Sequence, residues 1–260
     1  VMICFVGLIN KTVTLLIPLK ESDDEFRLTY ISRGMLSTSE LSILQADKEI
    51  LAFAHRTIKM FGISKSLFYA KNADEAAKIY ERVEKYEGIS DRMEVEIAKY
   101  LTKAAEGRLS NVSKKNVHAL LRVVSEIESI GDSNFNLAKT IMRKRNDGKE
   151  YTPEMTKRVE DMFVLVEEAL SEMMHVLNEN MTDMTVGSIN NSLRIEKDIN
   201  ALRNEYRMMN ATDVKEQKYP YEVSVTYMDM IGECEKIGDY ILNVVEQYQE
   251  TRAEHKVQEL

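Results

Sequence analysis

Glu126-Ile-Glu128-Ser-Ile-Gly131-Asp132 is written a second time, as Glu233-Cys-Glu235-Lys-Ile-Gly238-Asp239, 107 residues further along the chain. The match runs on past the aspartates. Asn136 falls on Asn243, and apolar Phe135 and Ala138 fall on Leu242 and Val245. Self-similarity at a fixed offset defines the folding unit, which here is about half the chain. Each copy carries two carboxylates four residues apart, a spacing that puts both on one side of a helix, on successive turns.

Composition agrees with helices. The chain has 260 residues, 44% hydrophobic and 30% charged, with only three prolines and ten glycines. That is enough apolar material for one large or two modest cores, and too little punctuation for a sheet protein. Acidic residues outnumber basic ones 43 to 35, giving a formal net charge of −8. With no basic stripe, nucleic acid is excluded as a partner. Cys4 and Cys234 are too few and too far apart for a disulfide framework or a thiolate metal site, which points to a reducing compartment.

The run Val1 to Ile17 is the most apolar in the chain, and Pro18 and an acidic stretch close it. It is short of the roughly 20 residues a spanning helix needs. It reads as a helix packed on the domain or as the tail end of a membrane segment. Six helices are expected beyond it. Ser37 with Glu40 forms a capping-box pattern opening a helix over 38–69, whose apolar face holds Leu41, Leu44, Ile50, Leu51, Ala54, Ile58 and Phe61. Asn72 with Glu75 caps a second, whose stripe of Ala76, Ile79, Val83, Tyr86, Ser90, Met93, Ile97 and Leu101 has bundle spacing; Gly107 ends it. A third covers about 113–145 and stops at Asn146-Asp-Gly148. Thr152-Pro153-Glu154 starts a fourth. A fifth covers about 186–209 along Ser188, Ser192, Ile195, Ile199, Leu202, Tyr206 and Met209, and a sixth runs from Pro220 to about Gln249 before a polar tail, 251–260. The fold class is therefore all-α: two pseudo-repeated antiparallel three-helix bundles.

Glu128 and Asp132 each follow a seam residue by one position, as do Glu235 and Asp239, so they stand on the ridge beside the buried stripe. The second helix has a matching ridge of Glu87, Asp91 and Glu94, and the fifth has Glu196, Asn200 and Arg203. Carboxylates on adjoining ridges repel unless a cation lies between them. All-oxygen donors without His or Cys suit Mg²⁺, Mn²⁺, Ca²⁺ or Fe³⁺ better than Zn²⁺. The plainer reading is a solvated acidic face, but repetition at matching seam positions favours the site. Gly131 and Gly238, costly inside helices, imply close helix approach at that level.

The two motif copies resemble the paired signature of the PhoU phosphate-transport regulators, over residues about 38 to 250. The resemblance implies two three-helix bundles, repeat one 38–148 and repeat two 151–250, whose E/D-xxx-D ridges bind multinuclear metal sites. Its ligands here would be Glu87, Asp91, Glu94, Glu128 and Asp132, then Glu196, Asn200, Glu235 and Asp239. Leu36-Ser-Thr-Ser-Glu-Leu41, running into Gln45-Ala-Asp-Lys-Glu-Ile50, is similar to the start of the cytoplasmic tail of bacterial sodium-dependent phosphate cotransporters. On that resemblance residues 1–20 are the end of a transmembrane segment and 21–37 a linker. The domain would then regulate phosphate transport at the cytoplasmic face of the bacterial inner membrane. Its partner would be the transporter's membrane domain, through which sodium and phosphate are reached, with room for a homodimer. Asn200 and Arg203 depart from the acidic pattern. Two other readings stand beside this one: a carboxylate-bridged metalloenzyme, and a metal-free helical docking domain. The first lacks the Glu-x-x-His pairs of ferritin-like bundles. No phosphate loop or nucleophile–base arrangement is present, so no enzyme is expected. His55, His118, His175 and His255 are scattered, and Cys234 reads as a small buried hydrophobe.

Overall fold

The computed structural model describes residues 28–31, 39–107, 109–148, 150–178 and 186–258. Six helices make up its regular structure: α1 Ser39–Phe68, α2 Ala73–Ala105, α3 Asn111–Asn146, α4 Pro153–Asn178, α5 Val186–Lys215 and α6 Tyr221–Gln258. No strand occurs among the described residues. Val1 to Ile17 lies outside them, as does Ser37. No helix among the described residues is long and apolar enough to cross a membrane.

Local chemistry sets the boundaries. The Asn72 side chain accepts from Glu75 N at 2.8 Å, and Glu75 accepts from Lys71 N at 2.8 Å, opening α2. Ser110 caps α3, accepting from Ser113 N at 3.0 Å, three residues before the expected start near 113. Thr152 accepts from Met155 N at 3.2 Å, with Pro153 at the first helical position of α4. After α3, Gly148 takes φ +64°, the left-handed conformation that closes a helix cheaply only with glycine.

α1, α2 and α3 pack on one another as one bundle, and α4, α5 and α6 as the other. The two join along α3 and α6, which run antiparallel: Asn243 Nδ2 donates to Glu126 at 3.0 Å, Arg122 to Gln247 at 3.1 Å, and Arg143 pairs with Asp229. Glu126 and Asn243 belong to the repeated stretches themselves. α1 and α4 make a second antiparallel seam, with Lys65 on Glu167 at 2.8 Å. Phe163 of α4 meets Phe61 and Phe68 of α1 edge-on, with ring centroids at 5.9 and 5.5 Å. One continuous core results.

Three details differ from the sequence expectation. Leu41 and Leu44 are exposed, and the buried stripe of α1 instead takes Ser42, Ile43, Ala46, Glu49, Ile50, Phe53, Thr57 and Ser64. Apolar counting misses that phase because polar residues hold seam positions. Glu49, fully buried, accepts from Thr29 N at 3.0 Å and Tyr30 N at 2.7 Å, pinning residues 29–30 to α1. α5 does not end at Met209, which is exposed; its seam continues as Asn210 and Asp213. Asn210 donates to Ser224 at 2.9 Å, and Asp213 takes Arg158 at 3.1 Å and Lys218 at 2.7 Å. Finally, α6 continues to Gln258, so most of the expected polar tail is helix.

Candidate metal centre

The crossing of α2 over α3 positions the first set of carboxylates. At Gly131 a Cβ would stand 2.8 Å from Ser90 Oγ, so even a methyl group there would force the Ser90 hydroxyl to shift. At the matching crossing of α5 over α6, a Cβ on Gly238 would meet Ile199 Cδ1 at 2.8 Å. Each glycine thus leaves room for a side chain of the facing helix, Ser90 in one bundle and Ile199 in the other. The ridge residues beside them face one another across each crossing.

In the first bundle Glu87 and Asp91 of α2 and Asp132 of α3 converge, with one carboxylate oxygen from each within 4.8 Å of the others. Among the described residues no other group of three metal-competent side chains comes together this way. Glu94 and Glu128 extend the cluster. Burial pushes the Glu128 carboxyl up to about 7, assisted by the charges of Asp132, Glu94 and Asp91 and by a hydrogen bond with Asp132. Glu87, Asp91 and Glu94 are raised too, by burial first and then by neighbouring aspartates. All five expected ligands of this bundle thus belong to one electrostatic cluster. Repulsion of this kind is relieved by a cation, and an all-oxygen set suits a hard one. The residues present fit such an ion.

Two neighbours are not singled out by the sequence as parts of the site. Lys139, two helical turns past Asp132, opposes the rise at Glu87 and lies over the Phe135 ring at 3.8 Å. Its position on the ridge face is the available signal. Ser90 Oγ is buried at the crossing without a hydrogen-bond partner. Its spacing marks it only as a seam residue.

The second bundle differs. Glu196, Asn200, Glu235 and Asp239 adjoin, but Arg203 reaches in among them. Its Nη2 donates to Glu235 Oε1 at 2.5 Å and to Asn200 Oδ1 at 2.9 Å, while Asn200 Nδ2 donates to Glu196. Asp239 is raised by burial, Glu235 and Glu196, and Arg203 opposes the rise. His55, His118 and His175 are exposed and join neither set. Cys234 is wholly buried, which pushes its thiol far up and leaves it inert as a ligand.

Comparison with known proteins matches this architecture. No curated protein sequence matches the chain significantly. The crystal structure of PhoU from Pseudomonas aeruginosa is similar over 82% of this chain and 97% of its own, with TM-score 0.71 at 14% identity. The phosphate transport system regulatory protein PhoU from Streptococcus pneumoniae is similar over 82% of this chain and 96% of its own, with TM-score 0.67 at 15% identity. At such identities the likeness concerns the fold. The sequence family described as the PhoU domain matches twice, at residues 50–141 and 159–248, one match for each bundle. Covering more than half of the sequence and both copies of the repeated motif, that match makes this chain a member of the PhoU domain family.

Proposed function

We propose that this chain is a metal-binding regulatory domain for phosphate transport. Membership of the PhoU family and the regulatory role named for the Streptococcus relative support the regulatory part. The convergence of Glu87, Asp91 and Asp132 from two helices is the observation that carries the metal part. Mg²⁺, Mn²⁺, Ca²⁺ or Fe³⁺ would be held by these three with Glu94 and Glu128, and bound ion would cancel the repulsion that raises their carboxyls. The ion would thereby tie α2 to α3, so metal content would set how firmly the first bundle is closed. As its setting we propose the cytoplasmic side of a sodium-dependent phosphate cotransporter, with the transporter's membrane domain as partner and homodimerisation as a further assembly. The likeness of the stretch from Leu36 to Ile50 to the tails of such cotransporters motivates that setting.

Two measurements test the proposal. Elemental analysis of the purified chain after Mn²⁺ loading should find bound metal that Asp132→Asn removes; no metal under any loading condition would overturn the metal part. Sodium-driven uptake of labelled phosphate should change when Asp132→Asn is introduced into the domain beside its transporter. Unchanged uptake and unchanged dependence on external phosphate would overturn the regulatory part.

A further inference from the structure

The two crossings are built alike, yet only the second holds a cation among its facing carboxylates: Arg203 bonds Glu235 and opposes the rise at Asp239. Position for position, Glu87, Asp91 and Glu94 on α2 answer to Glu196, Asn200 and Arg203 on α5, each at an offset of 109 residues. Two of three acidic positions have thus changed, one to a neutral amide and one to a permanent cation. Arg203 holds the sequence position that answers to Glu94, and its side chain is only 28% exposed, against a Glu235 that is 17% exposed.

We infer that Arg203 is the built-in cation of the second crossing, doing there what a metal ion does at the first. The contacts form an unbroken chain: Glu196 accepts from Asn200, Asn200 accepts from Arg203, and Arg203 donates to Glu235. That chain crosses from α5 to α6, so it ties the two helices as a bridging ion would. A metal entering this space would have to displace a charge-assisted hydrogen bond and lie beside a fixed positive charge. An arginine is suited to the role because it stays ionised at any physiological pH and its planar fork reaches two acceptors at once. At the crossing point Ile199 replaces Ser90, so the second site also has one polar atom fewer close by. The second bundle is therefore closed permanently, and only the first responds to metal.

The inference confines the proposed metal function to the first bundle, and its test separates the two. The full chain is loaded with Mn²⁺, dialysed against a weak chelator and analysed for metal. Asp239→Asn should leave the bound metal unchanged, whereas Asp132→Asn should weaken binding by roughly tenfold or more. The double variant Asn200→Asp/Arg203→Glu, which restores the acidic pattern, should roughly double the bound metal. A loss on Asp239→Asn as large as that on Asp132→Asn would overturn the inference. A second arm needs no metal. In excess chelator, melting temperatures are measured for Arg203→Met, Glu235→Gln and the two combined. If Arg203 compensates Glu235, the combined variant melts no lower than Arg203→Met alone, because removing the carboxylate removes the charge that was stranded. Losses that simply add would overturn the inference. A wild-type chain that takes no metal would sink the proposed metal function alone, and the coupling between Arg203 and Glu235 would then decide this one.

Discussion

Replacing Glu128 by Gln should stabilise the metal-free protein at pH 8 and leave it unchanged at pH 4. Glu128 has its carboxyl raised from 4.5 to about 7, by burial first and then by Asp132, Glu94 and Asp91. A raised carboxyl means that the folded state holds its proton more tightly than the unfolded state. The stability this contributes is complete below about pH 4.5 and is lost as pH rises through about 7. At about 1.36 kcal/mol per pH unit, the full rise corresponds to about 3 kcal/mol. Solvent screening at this partly exposed position reduces it to about 1–2 kcal/mol. Glutamine mimics the protonated acid, so it escapes that loss. Thermal melts in excess chelator should show the variant melting about 2–8 °C above wild type at pH 8, with the difference closing towards pH 4. In saturating Mn²⁺ the sign reverses, because the variant lacks a charged ligand and gains less from the ion. A variant no more stable than wild type at pH 8 without metal would refute the crowding on which the site is built.

Further outcomes follow from packing. A methyl group added at Gly62 would meet nothing within 4 Å, so Gly62→Ala should stabilise α1 by about 0.5–1 kcal/mol, whereas Gly131→Leu, aimed at Ser90, should cost about 1–3 kcal/mol; melting temperature reads both. Phe163→Ala should cost about 3–5 kcal/mol in denaturant unfolding, since Phe163 is fully buried between Phe61 and Phe68 of the other bundle. Asp213→Asn should cost about 1–3 kcal/mol at pH 7. Lys218 first and then Arg158 hold the Asp213 carboxyl below its usual range, so that cost should shrink as pH falls below about 4, which a pH series of melts would register.

The six helices of the described residues, their pairing into two units and the first carboxylate cluster are all legible in the residues. The repeated stretch is the reason: Gly131 and Gly238 stand at matching places against Ser90 and Ile199, and a Glu and an Asp four residues apart accompany each. Seams written in polar residues are not legible. Glu49 and Ser64 on α1, and Asn210 and Asp213 on α5, are buried because partners far along the chain satisfy them. Apolar periodicity cannot register such positions, so it misphases α1 at its start and ends α5 early. α3 shows a related limit. Beside Val117, Leu120, Val124 and Ile127, it buries a second stripe of Val123, Ile130, Asn134, Leu137 and Ile141. Only a second bundle on its far side explains that stripe. The inward turn of Arg203 is equally a matter of contact, since its sequence position allows either direction.

The antiparallel junction of α3 and α6 has a consequence for how such a molecule comes apart. Two like surfaces meet there antiparallel, as in the self-complementary interfaces by which identical subunits form closed pairs. Here both surfaces are held on one polypeptide, so the association is intramolecular and does not weaken on dilution. Cut between Asn146 and Pro153, the halves would regain separate existence, each carrying an apolar stripe suited to a copy of itself as well as to its sister. The connection across residues 147–152 thus does more than join two helices. It guarantees that the half with the five clustered carboxylates always faces the half that sets Arg203 among its own, a lopsided pair that free subunits would form only by chance.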